Sequence, residues 1–451
     1  MKRFLAGLLL AVMIFSVSSC SYLTPENWNV TEDGTQYQWG ENGLPIGFSA
    51  GFARETVNPQ NGTAMAGYDA GNTRLSSSIK DDIKLTCTAL SDGEQILLLY
   101  SMDSLFVASE MVDQVTRDIG TYLEGYSVPA ANIIMNATHT HSGPSLHFPT
   151  AIGMKDYLKD FYPVIYRLAQ EAIEDLDFAT VHVTRTETED LNYVRRYVSL
   201  DGTTFIGNWP SSGQDPTKVR HETEADHEMQ LIRFKRAVKR DILLCNWQCH
   251  PCSSGIGSEK STAISPDWVG PFRDAVEHQT GVLFSYHQGA AGNVISSGRM
   301  RGESSNSDYV KKGKKLADTV KVALKNTEEV KTGKFRVIRH EYYATHTPSY
   351  AQSKKSETQK LYLSTFSIGD VAFATTPYEM FDANGMQVKE KSPFKMTFMC
   401  AYTNGQYNYV PANYAYAVGG YECKKPRFVQ GTAEIVVDIL LKNLNELYRE
   451  S

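Results

Sequence analysis

The segment 136–147, NATHTHSGPSLH, sets His139 and His141 one residue apart directly behind an apolar run. Side chains of an extended chain alternate between faces, so this spacing aims both imidazoles the same way. Such a pair either shares a metal ion or divides the work, with one ring on the metal and the other handling protons. Taken alone, it is equally a pair of polar residues closing a strand.

Three more stretches place chemistry-bearing side chains beside turn residues just after apolar runs. They are WQCHPCSSG (247–255) with His250, TTPYEMF (375–381) with Glu379, and the tyrosine-dense NGQYNYVPANYAYAVGGYE (404–422). Two histidines and a carboxylate that leave one position open form the ligand set of hydrolytic zinc. Cys249 and Cys252 make one C-x2-C pair, but no second pair follows at the spacing of a structural zinc site. They are expected to be buried or disulfide-bonded, like the remaining cysteines beyond Cys20.

The elements that must position these residues show in the apolar pattern. Strands are expected at 95–105, 132–137, 180–186, 229–235 and 241–247, with helix-period runs at 107–126 and 155–176. Pro266 is expected to open a further helix. The polar stretch 299–308 reads as a loop, followed by a helix whose solvated face carries Lys311, Lys312, Lys314 and Lys315. Residues 361–376 form a hairpin turning at Gly369 and Asp370, and a long helix runs from Thr432 to about Tyr448. The alternation predicts an α/β fold, mixed β-sheets flanked by helices, in a single large domain. Loops at strand ends in such folds converge on one edge, where sites assemble.

A chain of 451 residues with 41% hydrophobic content buries a large core, and a formal charge of -6 leaves no basic field for nucleic acid. The N-terminus, MKRFLAGLLLAVMIFSVSSC, has two cations, an apolar run too short to span a bilayer, and small residues before Cys20. Its end resembles a bacterial lipobox. Residues 1–19 are therefore expected to be a lipoprotein signal peptide, with lipidated Cys20 tethering an exported protein to a bacterial membrane. Residues 20–46 read as a tether and 47–451 as the single large folded domain.

From about Gly47 onward the chain resembles the neutral/alkaline, non-lysosomal ceramidases. The resemblance rests on MAGYDAGNTRLSSS, IIMNATHTHSGP, EADHEMQLIRF, QCHPCSSG, SPDWVGPF, QGAAGNV, TTPYEM and NYVPANYAYAVGGYE, in that order. It implies a zinc-dependent amidase that hydrolyses the N-acyl bond of ceramide or a related N-acyl lipid, with His139, His250, Glu379 and Tyr409 as Zn2+ ligands. It places His141 near the metal facing the substrate, with Tyr421 reaching toward it, and matches Arg195 or Arg196 to an active-site arginine. The ordinary imidazole pKa of about 6.5 makes His141 the candidate general acid/base. Tyr421 and Arg195 are the candidate donors to the developing oxyanion. Asp226 matches a family aspartate of structural use.

Two departures accompany the resemblance. The family's GDVSPN serine position holds Ile295 here, with Ser296 and Ser297 next to it. The immunoglobulin-like domain that follows in full-length ceramidases is expected to be absent. These departures keep open a zinc hydrolase of a smaller amide or ester, and a surface lipoprotein that binds lipid or glycan without turnover. Gly289, Gly292 and Asn293 are expected to shape the pocket floor. Trp247 and Trp268 are read as core or pocket lining, and His221 and His227 as surface histidines.

Overall fold

The computed structural model describes residues 29–30, 36–68, 73–123, 125–208, 215–253, 261–298, 303, 307–424 and 426–449. The expected signal peptide and Cys20 lie outside the described residues, as does most of the loop expected at 299–308. The fold is a mixed α/β assembly built on two packed sheets. The larger has nine strands. Its main path runs Leu283–Gln288, Ile242–Trp247, Glu228–Arg236, Asp177–Glu187, Ser49–Thr56, Lys84–Ser91, Ile96–Met102, Ile133–Ala137, and Glu328–Val330 adds to Asp177–Glu187. The smaller orders Arg336–Thr345, Thr358–Ile368, Val371–Thr375 and Met396–Cys400.

Alternation along each strand sends side chains into different cores. Leu97, Leu99, Ile232, Phe234, Ile242 and Leu244 meet Phe366, Ile368, Phe373 and Phe398 between the sheets. Their neighbours Leu231, Leu243, Cys245 and Trp247 face the other way, onto Phe272 and Val276 of the helix Val269–Thr280 and Leu316 and Val320 of the helix Tyr309–Ala323. Ile96, Leu98 and Tyr100 likewise pack on the helices Ser109–Asp118 and Met154–Glu174. Burial on both faces is the reason these strands read as unbroken apolar runs rather than alternating ones.

Three parallel pairings give the molecule a working edge. Ile96–Met102 runs parallel to Ile133–Ala137, Ile242–Trp247 to Leu283–Gln288, and Val371–Thr375 to Met396–Cys400. Beyond the ends of these strands come the segments that carry His139, His250 and Glu379. Buried amides join the two sheets there. Asn136 donates to the Ala401 carbonyl at 2.7 Å and accepts from the Gln288 amide at 2.9 Å; Asn246 exchanges bonds with Met399. Gln288 in turn bonds the carbonyls of Thr138 and Cys249, one residue before each candidate histidine.

Most expected elements lie within a few residues of their observed bounds, the Gly369–Asp370 hairpin included. Four readings need correction. The helix expected at Pro266 starts at Val269, because Asp267 takes a left-handed turn (φ 58°) and its carboxylate accepts the amides of Trp268 and Ser253. Lys312 is not on a solvated face: it is 1% exposed, stands over the rings of Trp247 and Trp268, and its Nζ lies 3.0 Å from Cys249 Sγ. His221 and His227 are half-buried and bonded, to Glu303 at 2.6 Å and to Asn192 at 2.8 Å. Leu44, within the stretch read as tether, already belongs to the core.

The cysteines outside Cys20 are all free thiols, Trp247 and Trp268 are fully core, and Asp226 pairs with Lys389 at 2.5 Å. No helix among the described residues is long and apolar enough to cross a membrane.

Candidate metal centre

The strand carrying the histidine pair ends at Ala137, and His139 turns into the left-handed region with φ 69°. This conformation is strained for a residue with a Cβ. Bonds from the Thr138 and His139 amides to the Met102 and Ser104 carbonyls hold it. The pair is therefore not brought together by strand alternation. A turn does it, and the two rings end 5.1 Å apart at right angles.

Each ring's tautomer follows from its partner. His139 Nδ1 lies 2.8 Å from the Leu105 carbonyl and His250 Nδ1 lies 3.0 Å from the Val294 carbonyl. A carbonyl oxygen only accepts, so Nδ1 carries the proton in both rings and Nε2 presents a lone pair. Both Nε2 atoms stand 3.3 Å from one oxygen of Glu379, Oε2. All three atoms are buried without a hydrogen-bond partner, and so are both ring nitrogens of His141. The nitrogens that His139, His141 and His250 offer lie within 4.8 Å of one another. Orphaned lone pairs converging in a buried space are costly unless a cation takes them, so the donor set fits a metal ion.

Electrostatics match that use. Burial pushes the His250 imidazole down to about 4, with Arg195 adding to the effect. Burial, then His139 and His250, hold His141 well below the usual range. Neutral rings are what a metal requires. Burial alone pushes the Glu379 carboxyl up, but His139 and His250 beside it prevail and keep it below the ordinary carboxylate range.

Tyr409 sits opposite Glu379 in the short parallel pairing of Glu379–Met380 with Tyr409–Val410. Its hydroxyl accepts from Arg195 Nη2 at 3.0 Å. Arg195 also bonds Glu422 at 2.8 Å and the Gly292 carbonyl at 2.9 Å, and lies over the rings of Tyr409 and Tyr421. Of the two arginines, Arg195 is the one at the site. Arg196 points away and is fully occupied by Glu222, Glu422 and the Gly419 carbonyl. Tyr421 is half-exposed, its ring 5.6 Å from that of Tyr409.

A small cavity of about 260 Å³ opens on His141, Arg195 and His250 and is lined by Ile295, Ser296 and Ser297. A larger one of about 850 Å³ reaches from His139, His141 and Glu379 outward. Gly292 makes room at the base: a Cβ there would lie 2.8 Å from the carbonyl oxygens of Glu379 and Met380. Asn293 joins this loop to Asp382 by two bonds, 2.7 and 3.0 Å. Gly289 abuts Gln248 in the same way.

Three residues at the site were not singled out from the sequence. Tyr402 lies against His139 with ring centroids 4.1 Å apart, and Phe106 meets its edge at 5.2 Å. Tyr68, inside the MAGYDAG stretch, packs on His141 at 5.0 Å. Its place in a shared segment was the available hint; Tyr402 and Phe106 offered none.

No protein-family model matches the chain, and no curated protein matches it by sequence. Solved structures do. One is the neutral ceramidase from Pseudomonas aeruginosa, with a TM-score of 0.70 at 15% identity, covering 89% of this chain and 75% of the other. Another is a ceramidase complexed with C2, with a TM-score of 0.72 at 14% identity, covering 90% and 76%. The chain thus has a fold like that of neutral ceramidase.

Proposed function

We propose that the chain is a zinc-dependent hydrolase that cleaves an N-acyl amide bond. The observation that carries this reading is the convergence of His139 Nε2, His250 Nε2 and Glu379 Oε2, all buried and all without partners. Likeness to the solved ceramidases supports the reaction class. His139, His250 and Glu379 would hold the ion, with Tyr409 as the fourth ligand, and zinc at such a site supplies Lewis acidity and a water of pKa about 7.

The chain's own residues do the rest. His141 keeps both nitrogens free beside the ligands, placed to take a proton from the attacking water and return it to the leaving amine. Tyr421 and Arg195 border the same space and offer hydrogen bonds to a carbonyl oxygen gaining charge. Gly292 lets the strand of Glu379 approach closely. The leader and Cys20 mark the protein for export and lipid attachment at a bacterial membrane, a proposal checked by whether Cys20→Ser abolishes incorporation of labelled fatty acid.

Release of fatty acid from short-chain N-acyl substrates tests the activity. Wild type should turn over, the His139→Ala variant should fall by at least about 10³-fold, and a chelator should reproduce that loss. Turnover that survives both would overturn the proposal.

A further inference from the structure

At the outer end of the large cavity stands a cation, Arg427, that no carboxylate among the described residues pairs with. Arg427 is sandwiched between the rings of Tyr350 and Tyr407, at 5.3 and 5.6 Å. It uses one donor, Nη1, on the Gln406 carbonyl at 3.1 Å, and its Nε is buried with no partner. Burial lowers its pKa, and no carboxylate among the described residues pairs with it. Glu110 and Asp113 stand in the same cavity wall without bonding it.

Two imidazoles beside it are also incomplete. His346 is 4% exposed; its Nδ1 donates to the Ser356 carbonyl at 2.8 Å, and its Nε2 has no partner. His147 has an unpartnered Nδ1, and its field is coupled to both Arg427 and His139. A partly buried guanidinium with an unpartnered Nε and no paired carboxylate among the described residues is better satisfied around an anion, whereas His346, with its proton on Nδ1, turns a lone pair toward the space and only accepts. The metal centre is close by: Phe106 touches His139 at 5.2 Å on one side and His147 at 5.7 Å on the other.

We infer that the Arg427 end of the cavity binds an anionic group on the amine portion of the substrate, so that the preferred substrates are N-acylated acidic amines rather than neutral sphingoid amides. The inference rests on the hydrolase reading for the word substrate, but the anion subsite itself does not depend on turnover.

The test is calorimetric binding of three probes that differ only in the head, N-hexanoylglycine, N-hexanoyltaurine and neutral N-hexanoylethanolamine, to zinc-loaded protein, with hexanoate release followed separately. Both acidic probes should bind at least about tenfold tighter than the neutral one. In Arg427→Gln that ratio should fall to near one, and Arg427→Lys should retain part of it. Equal affinity for the three probes in wild type overturns the inference. So does a preference for the carboxylate alone that survives Arg427→Gln, since it would place the anion on the metal. Arg427-dependent binding without hexanoate release would keep the subsite and remove the hydrolase; release without charge preference would do the reverse.

Discussion

Arg195 Nη2 donates both to the Tyr409 hydroxyl at 3.0 Å and to the Gly292 carbonyl at 2.9 Å, while its Nε is anchored on Glu422. Burial pushes the Tyr409 phenol well above its ordinary pKa, and Arg195 is the group that opposes this. On the proposed reading Arg195 therefore makes Tyr409 a better metal ligand. Arg195→Gln should weaken zinc affinity about 10- to 100-fold, measured by competition with a chromogenic chelator, and Arg195→Lys should lie between. Unchanged affinity in Arg195→Gln would remove that role.

The sheet-joining amides set the frame of the centre. Asn136 is fully buried and bonds Ala401, Thr403 and Gln288. Asn136→Leu strands those groups and should cost about 3 kcal/mol or more in urea unfolding, since each buried unsatisfied group costs about 1–3 kcal/mol.

Lys312 allows the opposite expectation. Its ammonium is buried on two indoles and a thiol, with no ion pair among the described residues. Lys312→Met keeps the volume and removes the buried charge, so it should be neutral or stabilising. Lys312→Ala leaves a cavity and should lower stability by about 2–4 kcal/mol in the same assay.

Gly67 holds φ 120°, and a Cβ on it would lie 2.7 Å from the Cα and Cβ of His141. Gly67→Ala must therefore displace His141. Turnover should drop by at least about tenfold with zinc content retained, as metal analysis beside a rate assay would show.

Asp382 supplies a pH test away from the proposed ligands. Burial first, and then Asp226, push its carboxyl up to about 6, against the Asn293 bond that lowers it. Its folded pKa exceeds the unfolded value, so the fold binds the extra proton. The stability this contributes is present below about pH 4 and is lost as pH rises through about 6. Asp382→Asn removes that slope. The stability difference, variant minus wild type, should grow between pH 4.5 and 7, and a flat difference would contradict the assignment.

Much of this site was legible because its side chains follow apolar strands, which fix where a chain enters a sheet edge. THTHSGP, QCHPC and TTPYEM stood out for that reason. The geometry was less legible. Alternation accounted for the His139–His141 pair in sequence, whereas a left-handed turn at His139, held by Ser104 and Leu105, forms it in space. Lys312 was misplaced because charge predicts solvent, and only the tertiary packing of Trp247 and Trp268 shows otherwise. Arg427, His147 and His346 come from three distant segments, so no spacing relates them.

The central claim is that His139, His250 and Glu379 hold one metal ion, and metal stoichiometry tests it most directly. Purified protein incubated with zinc at neutral pH and desalted should retain about one zinc per chain. Glu379→Ala and His250→Ala, folded by circular dichroism, should retain almost none. Wild type that retains no zinc, or variants that hold it as well as wild type, would contradict the account.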